Sequence, residues 1–121
     1  MNWKWNIENE EFLEKTVKRC KEKEILLPTF NQLKHPESIP LEIQNNLKSV
    51  DIQELHPLNL FRINWRNDPK TGGIGDINYV EIPKEITGIK ARVIGLVGKH
   101  FPTGAHKVGA TYGCLAPYMV T

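Results

Sequence analysis

Apolar positions in the first half of the chain recur at spacings of three and four, and in the second half they contract into short runs. Phe12, Leu13, Thr16, Val17 and Cys20 form one stripe at helical spacing. That stripe predicts a helix from about Glu10 to Glu24. Asn9 suits the N-cap, Glu10 and Glu11 suit the first turn, and Lys18, Arg19, Lys21 and Lys23 crowd the last turns, where cations are favoured. Pro28 ends the segment. Thr29 is placed to cap a short helix through Leu33, before His35-Pro36. Ile39, Ile43 and Leu47, each four apart, predict a third helix starting near Pro40, a residue suited to a first turn.

From Leu58 the period changes. Leu60-Phe61-Arg62-Ile63-Asn64-Trp65 alternates loosely and reads as a strand, and Asn67 to Gly73 is a loop by composition. Tyr79 to Ile82 reads as a short strand closed by Pro83. Ala91 to Val97 carries the strongest strand signal, with Val93, Ile94, Leu96 and Val97 bracketing Gly95. Its nearly continuous apolar run predicts burial on both faces, in a parallel or mixed sheet covered by helices. Gly98 to Ala105 is then a loop, and Val108 to Leu115 a helix stopped by Pro117. The pattern predicts an α/β fold, with a helical segment 1–54 ahead of a strand-bearing segment 55–121.

Composition sharpens this division. All 9 glycines fall between Gly72 and Gly113. Up to Thr71 the chain has 11 basic and 11 acidic side chains, and after Glu85 it has no acidic side chain at all. The C-terminal region is therefore turn-rich, locally positive and able to receive an anion. A net charge of +2 over 121 residues is too small for a nucleic-acid binder that relies on phosphate contacts. No apolar run approaches the roughly 18 residues that span a bilayer, and the first residues lack the apolar core of a signal peptide. Cys20 and Cys114 stand far apart and point to neither a disulfide framework nor zinc. A soluble, cytoplasmic protein with no membrane partner is expected. No metal site is expected either. His35 and His56 each precede a proline, and His100 and His106 have no carboxylate nearby in sequence.

Several motifs reduce to bland readings. Gly98-Lys99 lacks the upstream glycine spacing and the following hydroxyl of a phosphate loop. Gly73-Ile74-Gly75 lacks the third glycine of a dinucleotide fingerprint. Trp3, Trp5 and Trp65 read as core anchors. The stretch Val93 to Cys114, VIGLVGKHFPTGAHKVGATYGC, is different. A strand leads into a Pro-Thr-Gly loop, then Lys107, then a helix rich in small residues. At the positive end of a helix and partly buried, the Lys107 ammonium is disfavoured, which promotes the neutral amine that attacks a carbonyl. Free N–H groups at the same end would favour a phosphate. An aldehyde cofactor with a phosphate tail requires both features. Gly104, Ala105, Gly109 and Ala110 leave room for a planar ring. The same residues also suit a capping or surface lysine, and physics alone does not separate the two readings.

Pro102-Thr103-Gly104 and His106-Lys107 resemble the lysine segment of the fold-type II pyridoxal-phosphate enzymes, the tryptophan synthase beta-like superfamily. Threonine synthases and related members carry Pro-Thr-Gly-Ser-Phe-Lys there, and tryptophan synthase beta chains carry Gly-Ser-His-Lys. The likeness extends over NYVEIPKEITGIKARVIGLVGKHFPTGAHKVGATYGCLAP, which is most similar to a cysteine-synthase-like or beta-subunit-like branch, and loosely over ELHPLNLFRINW. It implies that Lys107 is the Schiff-base lysine and that His106 lies against the cofactor phosphate. Ala105 stands where the family has serine, and Gly109 where beta chains have asparagine and dehydratases arginine, so the substrate does not carry over.

The resemblance implies pyridoxal 5'-phosphate as cofactor and an amino acid as substrate. The reaction would be β-elimination or β-replacement, as in a lyase or transferase, with γ-chemistry as the runner-up. Segment 1–54 would be a helical extension, and 55–121 the start of the cofactor domain. Family members also hold the phosphate, ring and substrate carboxylate with later loops. The expectation is therefore an inactive N-terminal fragment, completed by further chain or a second chain, and a homo-oligomer when complete. A non-enzymatic interaction module that binds a phosphorylated ligand is the alternative.

Overall fold

The computed structural model describes residues 9–114 and 116. The Asn9 side-chain oxygen accepts the Phe12 N–H at 2.9 Å and starts helix α1, Glu10–Glu22. Its far end closes without glycine. Glu24 takes φ 53, the Ile25 N–H reaches the Cys20 carbonyl at 2.9 Å, and the Glu24 N–H reaches that of Lys21 at 3.2 Å. This pair of bonds is the Schellman closure, in which a glycine normally occupies the left-handed position. The turn sends Ile25, Leu26 and Leu27 back along the helix, and together with Leu13, Val17 and Cys20 they line one groove.

Helix α2, Phe30–Lys34, begins with a reciprocal capping box between Thr29 and Gln32. Helix α3, Leu41–Leu47, follows Pro40. All three helices lie where the periodicity puts them.

Leu60 to Trp65 is not a strand. A 3-10 helix runs over Pro57–Arg62, capped by His56, whose Nδ1 accepts the Leu58 N–H at 3.1 Å. The helical turn points consecutive residues in different directions, and both find apolar company. Leu60 packs with Ile63, Phe101 and Val108, and Phe61 packs with Ile39 and Leu47. A strand would send one of the pair to each side of a sheet that is absent from this part of the fold.

The loops around this turn are held by side chains reaching main-chain carbonyls. Arg62, only 2% exposed, donates from Nη1 to the Val50 carbonyl at 2.8 Å and to Asn59 Oδ1 at 2.6 Å. Its Nη2 donates to the carbonyls of Leu47 and Gly72, both at 2.6 Å. Asn59 donates to the carbonyls of Asp51 and Glu54, and Asn67 to those of Arg62 and His100. Buried irregular backbone needs such partners, because it has no ladder to satisfy it.

Strands β1, Tyr79–Ile82, and β2, Val93–Leu96, form a two-stranded antiparallel ribbon, with Tyr79 opposite Leu96 and Ile82 opposite Val93. Among the described residues, the parallel or mixed sheet expected around Ala91 to Val97 is not found. Segment 83–92 carries only the short helix α4, Lys84–Thr87, and a parallel crossover needs about a dozen residues or more. Burial on both faces is not found either: Ile94 is 47% exposed and Leu96 53%. The architecture is mixed, with short helices and one small ribbon. Among the described residues, no helix is long and apolar enough to cross a membrane.

Three surface carboxyls titrate below their ordinary range. Glu81 is held down by its hydrogen bonds from Arg92. Asp68 is held down by the Lys70 N–H and then the Thr71 hydroxyl, and Glu37 by a main-chain N–H and then by His35 and Arg66. A carboxyl whose folded pKa is depressed adds stability above its unfolded pKa and loses it as pH falls through the folded value. The thermal midpoint should therefore hold near neutrality and drop below about pH 4, modestly because all three groups face water. A midpoint that rises on acidification contradicts this assignment.

Candidate functional site

After β2 the chain folds into three successive 3-10 turns, Gly98–His100, Pro102–Gly104 and His106–Val108. Phe101 and Val108 anchor this segment in the core, and Pro102 is buried beside them. The Asn67 amide ties the His100 carbonyl down at 2.8 Å. What remains at the surface is the stretch that carries the lysine.

Thr103 takes φ 67 and Gly104 follows at φ 75. Glycine adopts that region freely, but a β-branched residue is strained there by about 1–3 kcal/mol. Such strain persists only where the surroundings impose it, and it concentrates at functional sites. Thr103→Gly should remove part of it and raise the stability of the chain by about 1 kcal/mol, read as a higher denaturant midpoint. A lower midpoint would mean that the threonine makes contacts worth more than the strain.

His106 stacks on Trp65, with ring centroids 5.6 Å apart and planes 27° apart, and Trp65 meets Phe101 edge-on at 4.9 Å. A Cβ at Gly98 would lie 3.1 Å from His106 Nδ1, so the glycine of Gly98-Lys99 serves the close approach of this imidazole. Trp65 and His106, with Phe30, Leu33 and Ile63, line an apolar cleft of about 530 Å³. Trp65 is thus a core anchor whose outer face also builds the surface beside the lysine segment.

Lys107 does not share that cleft. Its side chain is exposed, within a 3-10 turn of three residues. The partial burial expected of it is not found, and the predicted helix Val108 to Leu115 is looser than its composition suggests. A turn over His106–Val108 precedes regular helix at 112–114 and 116, and Leu115 lies outside the described residues. The reason is local: the loop spends Phe101, Pro102 and Val108 on the core, which leaves Thr103, Gly104, His106 and Lys107 facing out. His106 and Lys107 are both exposed, but the imidazole lies over the Trp65 ring while the amine does not line that cleft.

Arg92 is engaged by Glu81 at 2.9 Å, which leaves Lys99 and Lys107 as the cations of the lysine segment. A second cleft of about 530 Å³ is lined by Lys48, Arg62, Lys70, Lys99 and His100 together with the carboxylates of Asp51 and Asp68. The Arg62 donors named above are directed to carbonyls and a side-chain amide, so the guanidinium is structural there. Arg62, Asn59 and Asn67 were not legible as functional or structural centres from spacing. Their one signal is a run of amide and guanidinium side chains among apolar residues in LNLFRINWRN.

No protein-family model, curated protein or solved structure matches the chain.

The described residues fit one part of a pyridoxal-phosphate site. They offer an accessible amine on a cationic, glycine-bearing loop, and a Cβ at Gly104 would meet nothing within 4 Å. They do not fit the rest. The phosphate and ring would lie in the open, with His106 already engaged by Trp65.

Proposed function

We propose that this chain is the N-terminal part of a pyridoxal-phosphate-dependent enzyme acting on amino acids, with Lys107 as its Schiff-base lysine. The reaction class is β-elimination or β-replacement. The observation that carries the reading is the Pro102-Thr103-Gly104-Ala105-His106-Lys107 segment itself. It resembles the family's lysine motif and places a strained backbone turn at Thr103 just ahead of the lysine.

A second observation supports a larger protein over a self-standing module. The β1–β2 ribbon exposes apolar side chains on both faces, and Ile86 in α4 is 75% exposed. Ribbons of two strands are marginal alone and gain stability from a third strand or a covering helix. In the proposed enzyme, further polypeptide covers this ribbon and walls in the Lys107 side. That covering supplies the enclosure the described residues lack. The cofactor, when bound, withdraws electrons from the substrate's Cα. The part of this chain is to present the Lys107 amine and to fix its loop through Phe101 and Val108. The test is spectroscopic: the chain expressed with its downstream coding sequence should gain a visible absorbance band on adding pyridoxal phosphate, and Lys107→Ala should lack it.

A further inference from the structure

We infer that α1 is a self-association surface, and that its occupant is α1 of a second copy of this chain, running antiparallel. This inference does not rest on the Lys107 reading.

Helix α1 has 13 residues and buries none of them. Isolated helices of about 12–15 residues are marginal in water and draw most of their stability from packing an apolar face. Here the face exists. Leu13, Thr16, Val17 and Cys20 lie at i, i+3, i+4 and i+7, and Leu13 and Val17 are each 42% exposed. The returning Ile25, Leu26 and Leu27 deepen the stripe into a groove of about 700 Å³. A groove of that form receives another helix laid along it.

Charge selects the occupant and its direction. Glu10, Glu11 and Glu14 stand toward the N-terminus of α1 and Lys18, Arg19 and Lys21 toward its C-terminus, while Lys15 and Glu22 pair within the helix with Glu11 and Lys18 respectively. On a helical projection, Glu10, Glu14 and Lys21 share one flank of the stripe. In an antiparallel pair centred between Thr16 and Val17, Leu13 faces Cys20 of the second copy. Lys21 of the second copy then falls between Glu10 and Glu14. A parallel pair would instead bring Lys21 toward the Arg19 and Lys23 side of its neighbour. The helix dipoles also oppose in the antiparallel arrangement. The helix is only about 20 Å long, so the interface is at the small, weak end of specific contacts.

The test is sedimentation of the 121-residue chain and its charge variants over a concentration series. The wild type should show a reversible monomer–dimer equilibrium. Glu10→Lys with Glu14→Lys should be monomeric over the same range, and so should Lys21→Glu with Val17 intact. Mixing the two variants should restore a dimer, and carrying all three changes in one chain should restore a homodimer. Circular dichroism of each variant checks that the fold is kept, which is expected because α1 has no buried side chain. A wild type that stays monomeric, or a dimer indifferent to these charges, overturns the inference. The second outcome would assign the contact to another surface, such as the ribbon.

Discussion

Replacing Arg62 by alanine should cost the chain about 3–5 kcal/mol, a large share of the roughly 5–15 kcal/mol that holds an ordinary domain folded. The guanidinium is 2% exposed and bridges Leu47, Val50, Asn59 and Gly72, four positions from three separate segments of chain. Burial pulls its pKa down, opposed by the charge of Asp51, yet the group is held in place by carbonyls. Removing it strands those carbonyls in the interior and opens a cavity between α3 and the Asp68–Gly73 turn. Arg62→Lys should recover only part of the loss, because one ammonium has three donors on a single atom and cannot reach four acceptors arranged around a planar fork. Equilibrium denaturation measures both. A lysine variant as stable as the wild type would show that charge alone, without the fork, suffices at this position.

The helix starts were legible from local signals. Asn9 and Thr29 sit at the starts of α1 and α2, where each side chain accepts a nearby N–H, and Pro40 stands just ahead of α3 without such a bond, its fixed backbone suiting a helix start. Tyr79 to Ile82 was legible from its β-favouring residues, with Pro83 ending it. What escaped was the non-local part. The apolar run at Val93 to Val97 states that the segment wants burial, and says nothing of which neighbours are present to provide it. Leu60 to Trp65 has residues that favour a strand, but His56-Pro57 starts a 3-10 turn and two clusters pull Leu60 and Phe61 apart. The lysine segment was legible as a loop leading to a turn. That the exposed His106 ring stacks on Trp65 depends on a contact 41 residues apart in the chain, which no spacing rule encodes.

Lys107→Ala should abolish catalysis in the proposed enzyme, lowering turnover of a serine-like amino acid by at least about 10³-fold. In that proposal the lysine would both hold the cofactor and move the substrate proton, and loss of a positioned acid–base group alone costs about 10²–10⁴. Lys99→Ala is the matched control. It removes a cation from the same positive loop without touching the segment that resembles the family's lysine motif. If the amine of Lys107 acts as a nucleophile, the two variants part by orders of magnitude. If the loop only gathers anions, both weaken binding to a similar, small degree.

Borohydride reduction separates these outcomes at the level of a single atom. The chain joined to its downstream coding sequence is incubated with one equivalent of pyridoxal phosphate, reduced, digested and mapped by mass spectrometry. The label should sit on Lys107 Nζ in preference to the other 11 lysines of this chain, and the Lys107→Ala protein should carry no comparable adduct. A label spread evenly over the surface lysines, or one that persists undiminished in Lys107→Ala, would contradict the assignment.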